Sequence, residues 1–117
     1  MTGHKEWVNS VSWDPSGKYL ASGGYKEIKV WDMKTQKCLG SLEEHSDVNS
    51  VSWDPSGKYL ASGSGDRSIK VWDVNTQECL CTLTGHTWSV TSISWDPSGT
   101  KLASGSEDTT LKVWECN

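Results

Sequence analysis

Val48 to Gly63 reads VNSVSWDPSGKYLASG, and Val8 to Gly23 reads the same sixteen residues. A third version, VTSISWDPSGTKLASG, runs from Val90 to Gly105. The segments behind them match as well: IKVWDM from Ile28, IKVWDV from Ile69 and LKVWEC from Leu111. Trp13, Trp53 and Trp95 recur at spacings of 40 and 42, and Trp31, Trp72 and Trp114 at 41 and 42. The chain is therefore three tandem copies of one unit.

Within a unit the pattern is that of strands. Val11 and Trp13 alternate with Ser10 and Ser12, a period of two that puts apolar side chains on one face. Asp14-Pro15-Ser16-Gly17 has the residue order of a type I turn, since Pro presets φ at the second position and Gly suits the fourth. Tyr19 to Ser22 predicts a second strand and Ile28 to Trp31 a third, rich in β-branched and aromatic residues. Asp32 to Gln36 predicts another turn and Lys37 to Leu42 a fourth strand. No helical period survives over ten residues. A period near 41 is too long for leucine-rich or ankyrin units and suits a four-stranded propeller blade. The expected blades are 1–43, 44–83 and 84–117, the third without an outer strand. The fold class that follows is all-β: three antiparallel blades that complete a β-propeller by homo-oligomerisation.

Composition narrows the function classes. Eleven basic against fifteen acidic residues give a net charge of −4, unsuited to a nucleic-acid surface or a polybasic membrane patch. Lysines at 18, 29, 58, 70, 101 and 112 recur with the repeat and read as solvated faces and edge protection. No apolar run reaches the ~18 residues of a spanning helix, and Met1 to His4 lacks the apolar core of a secretion signal, so a cytoplasmic setting is the expectation. Leu, Ile and Val number 20 and Phe none, but eight Trp compensate, each able to bury roughly 150–250 Å². A folded core is expected rather than disorder. Cys38, Cys79, Cys81 and Cys116 read as buried, reduced thiols. Cys79 and Cys81 share a strand face, yet two ligands without a nearby His make no zinc site, and neither metal nor cofactor is expected.

The order Gly-His, strand, turn, Leu-Ala-Ser-Gly, Asp, Trp-Asp resembles the WD-repeat family of β-propellers from Thr2 to Trp114. That resemblance implies a structural hydrogen-bond network joining the loop before the first strand to the second and third strands. Carried over by position, its members are His4, Ser22 and Trp31 in copy one; His45, Ser62, Asp66 and Trp72 in copy two; and His86, Ser104, Asp108 and Trp114 in copy three. Copy one departs from the pattern. Its loop Gly24-Tyr25-Lys26-Glu27 is one residue short and has no Asp in register, with Lys26 or Glu27 expected near that place. In copy two, Glu44 replaces the Gly before His45. Ser, His and Asp together also suggest a hydrolase, in which an acid-oriented base activates a hydroxyl. Three features oppose that reading: the set recurs with the fold period, no Gly-x-Ser-x-Gly elbow accompanies it, and each set includes a Trp whose N–H needs a buried acceptor. No catalytic residue is assigned.

Three blades do not close a ring that typically takes 4–8. A head-to-tail contact closes when its rotation does, so copies of the chain are the expected partner. Three chains give nine blades at about 40° each and two give six at about 60°; the trimer departs less from usual blade packing, and the dimer is the alternative. The resemblance implies a non-catalytic scaffold that binds proteins or peptides on one face of the ring. The implied contacts are Asn9, Asn49 and Thr91 near the channel, Tyr25, Gly65 and Glu107 farther out, and Trp7 and Trp88 in the loops before the first strands. Packing between blades is the competing role for the two Trp, and satisfying strand ends the competing role for the two Asn. The near-identity of the copies fits recent duplication or deliberate design, in the latter case with no natural ligand; a fragment of a larger WD-repeat scaffold is the further alternative.

Overall fold

The computed structural model describes residues 8–43 and 47–115. His4, Trp7, Glu44, His45 and Cys116 lie outside them. Eleven strands form three antiparallel sheets. The first holds β1 (Val8–Trp13), β2 (Tyr19–Gly24), β3 (Glu27–Asp32) and β4 (Lys37–Glu43) in chain order. The second repeats this with β5 (Val48–Trp53), β6 (Tyr59–Ser64), β7 (Ser68–Asp73) and β8 (Glu78–Thr84). The third has β9 (Val90–Trp95), β10 (Leu102–Ser106) and β11 (Leu111–Trp114).

The first turn of each unit is organised by its Asp. Asp14 closes the turn by accepting the Gly17 N–H on its carbonyl at 3.0 Å, while its carboxylate takes the Tyr19 N–H at 2.9 Å. Asp54 and Asp96 repeat both bonds, Asp54 with Gly57 and Tyr59, Asp96 with Gly99 and Lys101. Gly17, Gly57 and Gly99 sit at φ near +77 to +80°, a conformation with no penalty only for glycine. Burial works against ionisation of Asp14, but the Ser16 hydroxyl and the surrounding N–H groups outweigh it and hold the carboxyl below its ordinary value. These turns fix hairpin register, and register decides which face becomes core.

Two apolar layers lie between the sheets. Ala21, Ile28, Val30 and Leu42 of the first sheet meet Val48, Val51, Trp53, Leu60 and Trp72 of the second. Ala61, Ile69 and Val71 of the second meet Val90, Ile93 and Leu102 of the third. Fully burying a Val, Leu or Ile side chain contributes about 1.5–3 kcal/mol, so these joints, rather than single sheets, carry the fold.

The two outward faces remain bare. On β1, Val11 is 60% and Trp13 57% exposed, whereas their repeat counterparts Val51 and Trp53 are 5% and 7%. On β11, Leu111 is 75% exposed where Ile69 is 0%. The cysteines depart from expectation. Cys38 and Cys79 are free and exposed because they sit on β4 and β8, the edge strands of their sheets, and Cys81 is disulfide-bonded.

Candidate functional site

The third unit brings Ser104, His86, Asp108 and Trp114 together. Ser104 lies on β10, across from Lys112 in β11. The Trp114 indole N–H donates to Ser104 Oγ at 2.8 Å, and His86 Nε2 meets the same oxygen at 2.7 Å. His86 Nδ1 lies 3.0 Å from Asp108 Oδ2. The Trp114 indole can only donate and the Asp108 carboxylate can only accept, so neutral His86 carries its proton on Nδ1 and its Nε2 accepts the Ser104 hydroxyl proton, while Ser104 accepts from the indole. His86 Nδ1–H then points to Asp108, which also takes the Thr87 N–H at 3.0 Å. The result is a directed chain of bonds from Trp114 through Ser104 and His86 to Asp108.

Asp108 is held well below its ordinary carboxylate range. The Thr110 hydroxyl is the main cause; desolvation opposes it, and the N–H groups of Thr87 and Thr110 and the His86 ring add to the lowering. A carboxylate whose folded pKa is depressed contributes stability in full above its unfolded value, near pH 4, and loses it as pH falls toward the folded value. The acid limb of a melting-temperature profile between about pH 5 and 2 is therefore expected to be shallower for Asp108→Asn than for wild type. Superimposable profiles would remove Asp108 from the acid response.

The second unit repeats the Trp–Ser bond, Trp72 Nε1 to Ser62 Oγ at 3.1 Å. Asp66 here is lowered too: burial resists ionisation, but the Ser68 hydroxyl and N–H overcome it. Its expected histidine, His45, lies outside the described residues. In the first unit Trp31 Nε1 donates to Ser22 Oγ at 3.0 Å, and His4 is likewise outside.

The short first loop differs from its expected register. Lys26, Arg67 and Thr109 share positive φ (61°, 75° and 69°). Counting back one residue sets Tyr25, not Lys26 or Glu27, in line with Asp66 and Asp108. Lys26 Nζ lies 5.1 Å from the Tyr25 ring centroid, so a cation–π pair occupies the loop instead of a carboxylate hub.

Of the residues expected on a binding face, the Asn pair sits in the joints between sheets. Asn9 Nδ2 donates to the Val48 carbonyl at 3.0 Å and Asn49 Nδ2 to that of Val90 at 2.9 Å. Thr91 donates to Gly105 within its own sheet at 3.3 Å. Tyr25, Trp88 and Glu107 are exposed, and Trp7 lies outside the described residues. The sequence reading missed Ser106, whose hydroxyl donates to the Ser89 carbonyl at 2.9 Å and accepts the Asp108 N–H at 3.1 Å, and Thr110, which clamps Asp108. The hydroxyl two residues after each Asp, Ser68 and Thr110, was the available signal. Among the described residues no cluster of three or more His, Cys, Asp or Glu could hold a metal ion. No helix among them is long and apolar enough to cross a membrane, which leaves strand-built membrane proteins untouched.

Stacked antiparallel sheets, each tied by the same Trp–Ser bond and joined through the same apolar face, define a tandem β-sheet repeat protein. The WD40 family model, described as WD domain, G-beta repeat, matches residues 1–32, 36–73 and 77–115, and the chain belongs to that family. Curated relatives include the ribosome biogenesis protein BOP1 homolog of Dictyostelium discoideum, 47% identical over 47 residues, or 39% of this chain and 6% of that protein. Its counterpart from Drosophila virilis is 40% identical over 47 residues, with the same coverage. That from Drosophila erecta is 43% identical over 42 residues, 35% of this chain and 5% of the relative. The match thus spans about one-twentieth of these relatives' length.

Proposed function

We propose that the chain is a non-catalytic interaction scaffold that completes a β-propeller with copies of itself, three chains supplying nine blades bounded at 1–43, 44–83 and 84–117. One observation carries this reading: the face bared on β1 and the face bared on β10 and β11 repeat the two faces that close on each other inside the chain. An apolar face left in water at both ends favours association, and a head-to-tail contact between identical chains forms a ring when its rotation closes. The Trp–Ser–His–Asp sets are structural here. Ser104 is 2% exposed and its oxygen is engaged by Trp114 and His86, so a substrate carbonyl has no approach to it. Partner proteins or peptides would meet the rim carrying Tyr25, Trp88 and Glu107, where exposed aromatic residues supply the favoured contact chemistry. The relatives' names place them in ribosome biogenesis; the likeness carries the repeat and not that role.

The test is solution mass by light scattering on a size-exclusion column. One chain is 12.9 kDa. Three copies give about 39 kDa and two about 26 kDa. A mass of one chain at all concentrations would overturn self-completion, and a dimer mass would replace nine blades by six.

A further inference from the structure

The two joints inside the chain are one interface built twice, down to single atoms. In the first, Val48 and Val51 clasp Gly23: a Cβ there would lie 2.6 Å from Val48 Cγ1 and 3.0 Å from Val51 Cγ1. In the second, Val90 and Ile93 clasp Gly63, at 2.7 and 3.0 Å. The Trp53 indole donates to the Ser12 carbonyl and the Trp95 indole to that of Ser52, each at 3.0 Å. The Ser10 hydroxyl accepts the Val51 N–H at 3.3 Å, and Ser50 accepts that of Ile93 at 3.2 Å.

The ends of the chain hold the separate halves of the same set. Gly105 stands in the place of Gly23 and Gly63, but a Cβ there would meet only Ser92 Cβ of its own sheet, at 4.0 Å. Beside it Ala103 is exposed, whereas Ala21 and Ala61 are fully buried. At the other end, Val8, Val11 and Trp13 carry the clasping pair and the indole, all exposed.

We infer that a second copy docks head to tail with its β1 laid along β9 and β10, so that Val8 and Val11 of one copy clasp Gly105 of the other. The Trp13 indole then donates to the Ser94 carbonyl, and Ser92 Oγ accepts the Val11 N–H. This joint rests on the self-completion proposed above and specifies its register. The series Gly23, Gly63, Gly105 against Val48, Val90, Val8 continues an interface the fold already uses twice, which is why the occupant is this chain and not an unrelated apolar partner.

One position sets the new joint apart. Asn9 and Asn49 each donate an amide proton across an internal joint, whereas Thr91 stands third in that series and turns its hydroxyl to Gly105 in its own sheet. A shorter side chain with its proton used at home cannot make the bond to the Val8 carbonyl of the next copy. The contact between copies is therefore the weakest of the joints, and Thr91 is the residue that makes it so.

Light scattering across a concentration series, with circular dichroism as the folding control, tests this on three chains. Gly105→Ala adds a methyl where the single chain has room and the joint has none. It is expected to keep the wild-type spectrum and weaken association at least about tenfold. Thr91→Asn restores the amide donor and is expected to tighten association about fivefold. A gain of affinity at the wild-type stoichiometry and with the wild-type spectrum is distinct from the open-ended aggregation of misfolded chains, so this variant decides if Gly105→Ala loses its spectrum. Wild type that associates, with neither variant shifting the constant, would overturn this register and leave self-association standing. Wild type that never associates would overturn both.

Discussion

Trp53→Ala is expected to lower the free energy of unfolding by about 3–5 kcal/mol, and Trp13→Ala by no more than about 0.5 kcal/mol when single chains are compared. The two residues occupy the same place in identical sixteen-residue stretches, so local sequence cannot separate them. What separates them is the neighbour. Trp53 is packed against the first sheet and gives its indole proton to the Ser12 carbonyl; Trp13 projects from β1 into solvent. Truncating Trp53 leaves a cavity between two sheets and removes a partly buried hydrogen bond. Domains of this size are held by about 5–15 kcal/mol, so the variant stands near the limit of folding. Urea titration at low protein concentration measures both. Equal losses would mean that the first joint does not carry the stability assigned to it. A large loss for Trp13 alone would mean that β1 is covered in the single chain.

Much of this architecture is legible in the sequence for a simple reason: each strand and turn is specified locally. Asp-Pro-Ser-Gly at 14, 54 and 96 places the hairpin, and alternation at Val11 and Trp13 assigns the faces. What escapes is whatever depends on a neighbour. The short loop at Gly24 to Glu27 offers no residue count that says where the missing position falls; only the positive φ shared by Lys26, Arg67 and Thr109 sets Tyr25 against Asp66. The cysteines read as apolar residues, yet Cys38 and Cys79 fall on strands at sheet edges and face water. Asn9 and Asn49 read either as residues of a binding face or as partners for strand ends, and only the neighbouring sheet shows which carbonyls their amides reach. In a stacked repeat the side chains that look available in one unit are often the ones the next unit consumes.

The same dependence shapes the hydrogen-bond sets. Trp31, Trp72 and Trp114 each donate to a serine of the second strand in their sheet, whether or not an Asp stands in the loop. The Trp–Ser pair is the constant part, and the carboxylate hub is an addition that unit one lacks. The apolar packing is shared as well, since Ile28 and Val30 of unit one and Ile69 and Val71 of unit two are all buried under the next sheet.

A second large effect follows at Trp72, where packing and hydrogen bonding coincide in the central sheet. Trp72→Ala is expected to cost about 3–5 kcal/mol, since the indole fills the layer beside Val51, Trp53 and Leu60. Trp72→Phe keeps most of the ring and deletes the N–H; about 1–2 kcal/mol is expected. Ser62→Ala does the reverse. It leaves a buried indole N–H without its acceptor, an unpaired donor that costs about 1–3 kcal/mol. Combining Trp72→Phe with Ser62→Ala removes donor and acceptor together, so the double variant should lose less than the two single losses added, with a coupling of about 0.5–3 kcal/mol. Chemical denaturation of the four variants closes the cycle. Strict additivity would show that the 3.1 Å contact between Trp72 Nε1 and Ser62 Oγ contributes nothing beyond its geometry, and the stability of the repeat would then rest on apolar packing alone. Coupling of the expected size would give the Trp–Ser pair its own share in every unit, including the first, where Tyr25 stands in register with Asp66 and Asp108.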